Sequence, residues 1–72
     1  MNVAAEVRAE IAKQGIEISY LAEVSGIPRG RLSNRLNEHR EFTLTELNAI
    51  GAALGVPGWE FHRRATKEKT AG

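Results

Sequence analysis

Val3, Val7 and Ile11 fall four residues apart, with alanines at 4, 5, 9 and 12 between them. That spacing puts all three on one face of a helix. Asn2 stands where such a helix is capped and Gly15 where it stops. A second, shorter helix follows from about Ile18 to Ser25, with Leu21, Ala22 and Val24 apolar and Gly26 at its end. Ile27-Pro28 then reopens helix, since proline is tolerated in a first turn, and Leu32 and Leu36 form its inward stripe. Residues 37–42 read as a loop. Thr43-Leu44-Thr45-Glu46 has the spacing of a capping box, in which hydroxyl and carboxylate each satisfy an orphan amide. Leu47, Ile50 and Leu54 continue that helix inward, and Gly55 closes it. Pro57 opens a fifth helix, expected to run to about Ala65. Nothing alternates with a period of two. The pattern predicts an all-α fold, a compact five-helix bundle occupying 1–65, with a polar, flexible C-terminal tail over 66–72.

Composition narrows the function. At 72 residues the chain is one small domain, and a chain of this size buries only about 60% of its unfolded surface. It has no cysteine, so neither disulfides nor thiolate metal sites can staple it. The core must come from packing, with a second subunit as one further source. No apolar run approaches the roughly 20 residues of a membrane span, and no signal-peptide core is evident. A soluble, cytoplasmic domain with no membrane partner is expected.

The formal net charge of +1 argues weakly against a polyanion partner, until its distribution is followed. Residues 1–25 set Arg8 and Lys13 against Glu6, Glu10, Glu17 and Glu23, and residues 41–60 hold Glu41, Glu46 and Glu60 with no base. Residues 26–40 carry Arg29, Arg31, Arg35 and Arg40 against Glu38 alone. Residues 61–72 carry Arg63, Arg64, Lys67 and Lys69 against Glu68. Positive charge is therefore concentrated in two blocks, each of which can attract a polyanion.

Only Gly26-Ile27-Pro28 separates the second and third helices, and glycine supplies the positive φ that such a steep turn needs. Ala22 lies where the two helices cross, and Leu21, Ile27, Leu32 and Leu36 pin the pair to the core. Leu21-Ala22, Gly26-Ile27, Leu32-Ser33 and Leu54-Gly55-Val56-Pro57 together resemble the lambda-repressor-like, or Cro/C1-type (XRE), helix-turn-helix domain. The resemblance covers roughly residues 5–65. Arg35-Leu36-Asn37 followed by Phe42-Thr43 is similar to small actinobacterial or phage regulators. Two features depart from the family's pattern: helix two offers Glu17 or Ser19 in place of the usual polar N-cap, and the loop carries Glu38 and Glu41. The resemblance implies a sequence-specific transcriptional regulator of the repressor type, with the helix near 28–36 in the major groove of an operator. Its partner would be double-stranded DNA, bound as a homodimer that reads two half-sites.

Helical geometry names the readers. With Leu32 taken as inward, steps of 100° per residue place Gly30, Asn34 and Arg31 at about 160°, 200° and 260°, away from the core. Gly30 lets the helix approach base edges closely; Asn34 suits adenine, and Arg29 or Arg31 suits guanine. The resemblance points to Arg29, Gly30 and Asn34 as base-contacting positions, and Ser33 lies on the flank. Three arginines on a short helix are otherwise a solvated face with internal glutamate partners. Arg35, at about 300°, is expected to meet a phosphate or Glu38. Asn37 is either a phosphate contact, as the resemblance implies, or a simple C-cap. Arg40 and Thr43 flank a helix N-terminus whose free amides suit a phosphate oxygen. Ser19 and Tyr20 stand likewise at the start of helix two, unless Tyr20 simply packs.

Other chemistry finds little footing. His39 and His62 have no cysteine beside them, so a zinc site is not expected, nor is any other cofactor. No nucleophile elbow or glycine-rich phosphate loop occurs, and neither enzyme activity nor a small-molecule ligand is expected. Trp59 lies about 200° around the fifth helix from Phe61 and cannot share its buried face. Either the chain folds back over Trp59, or the tryptophan anchors a dimer contact with Gly58 and His62. Two other functions stay open: an antitoxin-like or host-takeover protein-interaction module that reuses the fold, and the DNA-binding portion of a longer repressor.

Overall fold

A computed structural model describes residues 2–38 and 40–71, with side chains described as far as residue 66. Five helices follow one another: α1 (Val3–Gln14), α2 (Ile18–Ser25), α3 (Arg29–Leu36), α4 (Leu44–Leu54) and α5 (Gly58–Ala71). No strand occurs among the described residues, so the fold is all-α.

Local signals set the boundaries. The Asn2 side chain accepts from the Ala5 amide to start α1, and Gly15 ends it in the left-handed conformation. Gly26, at φ 76°, turns the chain from α2 into α3. Pro28 stands one position earlier than expected: it is the N-cap of α3, in extended geometry, and lies outside the first turn. The Thr43–Glu46 capping box is present in both directions. The fifth helix runs to Ala71, past the expected end near Ala65. Nothing between 65 and 71 is glycine or proline, and lysines at 67 and 69 suit the negative end of the helix dipole.

One core joins all five helices. Val7 and Ile11 of α1, Leu21 and Ala22 of α2, Leu32 and Leu36 of α3, Leu47, Ile50 and Leu54 of α4 and Phe61 of α5 are buried together with Ile27. The α4–α5 corner is tight enough to demand glycine twice. A Cβ on Gly51 would strike the Val56 carbonyl oxygen and lie 2.9 Å from the Gly58 nitrogen. One on Gly58 would lie 2.6 Å from Asn48 Oδ1 and 3.2 Å from the Leu47 carbonyl oxygen.

The outer side of that corner is fastened by charge. The buried Glu10 of α1 accepts from Arg64 of α5 at 2.9 Å and from Gln14 at 2.8 Å. Gln14 also donates to the Leu54 carbonyl at the end of α4. Arg64 reaches Glu60 as well, and its guanidinium lies 5.7 Å from the Phe61 ring centre.

Candidate nucleic-acid interface

The inward and outward faces of α3 divide as helical geometry requires. Leu32 and Leu36 are buried, while Arg29, Gly30, Arg31 and Asn34 are exposed. Arg29 and Arg31 enter no ion pair among the described residues. A Cβ on Gly30 would meet nothing within 4 Å, so the backbone of this turn is open to an approaching surface. Ser33 is half-buried beside a shallow hollow shared with Ile18 of α2 and Arg8 of α1. Its hydroxyl accepts from Asn37 Nδ2 at 3.3 Å.

Neither α2 nor α3 has a side-chain N-cap: Glu17 and Pro28 occupy the cap positions without one. Helical hydrogen bonding begins at the Leu21 and Leu32 amides, which leaves the first-turn N–H groups of both helices available to an acceptor. Ser19 and Tyr20 are exposed at the start of α2, with Tyr20 53% accessible, so the packed alternative for Tyr20 does not hold. A phosphate oxygen near these amides would meet favourable dipoles.

Beyond α3 the expected contacts diverge. Asn37 is the C-cap of α3, its amide bonded to the Ser33 carbonyl at 2.9 Å. Arg40 is exposed and without an ion pair among the described residues. The exposed Thr43 accepts from the Glu46 amide through its hydroxyl, as the N-cap of α4. Arg35 does not meet Glu38. Its Nε donates to Glu46 Oε1 at 3.1 Å, and its side chain is only 18% exposed. The cause is the direction of Arg35 on α3, towards α4, where the capping carboxylate already sits. Burial works to raise the Glu46 pKa, but the Thr43 amide and the Arg35 guanidinium outweigh it and hold the carboxyl below its usual range.

The two arginines of the second basic block are committed within the chain. Arg63 makes a bidentate pair with Glu60, with contacts of 2.7 and 2.6 Å, and Arg64 joins Glu60 to Glu10. Trp59 is 62% exposed, so the chain does not fold back over it. His62 is exposed and lines a hollow with Asn2 and Phe42. Gly58, expected beside Trp59 in a contact between copies, is instead buried against Leu47 and Asn48, where it lets α5 approach α4. His39 lies outside the described residues.

Sequence reasoning missed the reach of Arg8 and Asn2 to the end of α3. Arg8 donates to the Leu36 carbonyl and, at 3.2 Å, to Glu38, and Asn2 donates to the same carboxylate at 2.6 Å. The partners are about thirty residues apart or more, so no local spacing announces them.

Comparison with known proteins agrees with this geometry. A helix-turn-helix family profile matches residues 7–58, from the middle of α1 to the start of α5. No curated protein and no solved structure matches the chain significantly. The matched span contains the α2–turn–α3 unit and its supporting helices, and the chain belongs to the helix-turn-helix family of XRE (Cro/C1) type, a family of DNA-binding regulators.

Proposed function

We propose that this chain is a sequence-specific transcriptional regulator of the repressor/Cro type, occupying a duplex operator with α3 in the major groove. The observation that carries the reading is the outer face of α3. Exposed Arg29, Arg31 and Asn34 surround a glycine at 30, on a helix whose other face is locked by Leu32 and Leu36. Arg29, Arg31 and Asn34 read base edges, Ser33 contributes from the flank, and Gly30 permits close approach. Ser19, Tyr20, Asn37, Arg40 and Thr43 take phosphates, along with the first-turn amides of α2 and α3. Arg35 supports the phosphate-facing loop through Glu46 and offers only its remaining N–H groups.

Two subunits would place their α3 helices about 34–36 Å apart on a pseudo-palindrome. Trp59 and His62, both exposed on α5, are the proposed contact between copies. Selection of bound sequences from a random duplex pool, with mass measured on the winner, tests both parts. An enriched two-fold site and a complex of two chains are expected. No enrichment at low salt would sink the regulator reading, and one chain per site would sink the dimer.

The exposed Trp59 also favours a second reading, a protein-interaction module. Substitution of Arg31→Glu together with Asn34→Asp separates the two. It abolishes DNA binding under the first reading and leaves partner binding intact under the second.

A further inference from the structure

Arg8 sits on α1, a helix that supplies none of the candidate base-reading side chains. Its Nη1 nevertheless donates to the carbonyl oxygen of Leu36, the last residue of α3. Its Nη2 donates to Glu38 Oε2 at 3.2 Å. The other oxygen of that carboxylate accepts from Asn2 Nδ2 at 2.6 Å, while Asn2 Oδ1 caps α1 through the Ala5 amide at 2.8 Å. The first turns of α1 therefore grip the far end of the candidate recognition helix at two chemically different points.

Both points would otherwise be loose. The Leu36 carbonyl is one of the four that a helix leaves without an intrahelical partner. Glu38 is the one non-glycine residue with positive φ among the described residues, at 66°. A residue bearing a Cβ persists in that conformation only where its surroundings hold it. Between the two gripped points lies Asn37, and Asn34 is one turn back. Base readout requires side chains held within roughly half an ångström of their productive place.

We infer that Arg8 is a positioning residue for DNA reading. By joining the Leu36 carbonyl to the Glu38 carboxylate, it fixes the end of α3 against α1 and so the placement of Asn34 and Asn37 on the duplex. This inference rests on the regulator reading above. A planar guanidinium suits the task because its fork spans two acceptors in fixed geometry, whereas a lysine ammonium is a mobile point charge.

The test uses the full chain and the variants Arg8→Lys, Arg8→Met and Glu38→Gln, each first checked for native helicity at the binding temperature. Affinity for the selected duplex and for a random duplex is measured across a salt series, and amide exchange at Asn37 and Glu38 is followed in the free proteins. Both Arg8 variants are expected to lose roughly tenfold in affinity for the selected duplex. Random-duplex binding should change little, the salt slope should stay the same, and exchange at Asn37 and Glu38 should speed up. Glu38→Gln keeps an acceptor for one donor and should lose less. Three outcomes overturn the proposal: equal losses on both duplexes, which mark a merely structural residue; unchanged affinity; or a salt slope reduced by about one in Arg8→Met and restored in Arg8→Lys, which marks a direct phosphate contact. If the unaltered chain selects no duplex, the regulator reading fails and takes the reading role of Arg8 with it. Amide exchange in Arg8→Met still decides whether Arg8 holds the end of α3.

Discussion

Arg29 and Arg31 of α3 and Arg63 and Arg64 of α5 come from two segments of the chain that look alike in charge. The structure makes them opposites. The first pair is exposed and enters no ion pair among the described residues, on a helix whose acidic neighbours lie elsewhere. The second pair is folded into a network with Glu60 and the buried Glu10 that ties α1 to α5. The difference teaches that basic residues mark a polyanion surface only after their internal partners have been subtracted. Arg35 leaves the account for the same reason, through Glu46. Arg29, Arg31 and Arg40 remain as free cations among the four arginines of 26–40.

The comparison breaks most severely if the α5 side is dislodged. Gly51→Ala forces a Cβ against the Val56 carbonyl, whose own amide bonds back to Gly51 at 2.9 Å, so the backbone cannot simply yield. A loss of about 3 kcal/mol is expected, seen as a drop of more than ~10 °C in melting temperature. Arg64→Ala should come next, at about 2 kcal/mol, because it leaves the buried Glu10 carboxylate with Gln14 alone. The decisive measurement on Arg64→Ala is DNA affinity at a temperature where it is folded. It should match that of the unaltered chain, and a clear loss would show that α5 shares in the interface.

On the α3 side the effects reverse. Asn34→Ala should change thermal stability by no more than about 0.5 kcal/mol, since its side chain is exposed. It should still cost about 1–3 kcal/mol in binding the selected duplex, with relaxed preference at one base position. If Arg29, Arg31 and Arg40 supply the charge-neutralising contacts, the plot of log affinity against log salt should be no steeper than about −3 per subunit. A markedly steeper slope would mean that cations outside 26–40 also reach phosphates, Arg63 and Arg64 only by giving up their glutamates.

How much of this was legible in the sequence depends on how local each signal is. Asn2, Gly26, Gly55 and the Thr43–Glu46 pair act within a few residues of themselves, and they delimit the helices where the sequence places them. Leu32 and Leu36 orient α3, so the exposure of Asn34 and Arg31 follows from periodicity alone. What escaped depends on how helices meet. Gly58 reads as a neighbour of Trp59 until α4 is seen to press on it, and Arg35 has Glu38 nearby in sequence but Glu46 nearby in space. The grip of Arg8 on α3 is of the same kind, because nothing at residue 8 encodes the position of residue 36.

The gentlest probe of the comparison is acid, since the two sides hold their carboxylates differently from the free arginine face. Hydrogen bonds from Arg64 and Gln14 outweigh burial and lower the Glu10 pKa below its ordinary 4.5. Glu46 is lowered too, although burial opposes it, and Glu60 is brought down to about 2, chiefly by its hydrogen bond to Arg63. Each carboxyl is thus more acidic folded than unfolded. The unfolded chain takes up protons first as the pH falls, so the stabilisation is complete above about pH 4.5 and lost as the pH drops through the folded values. Denaturation midpoints should be level near neutrality and decline in acid. Glu10→Gln combined with Glu46→Gln, which keeps a capping-box residue, should flatten that decline. If the double variant declines as steeply as the unaltered chain, those two carboxylates are not what fastens α1 to α5 and α3 to α4.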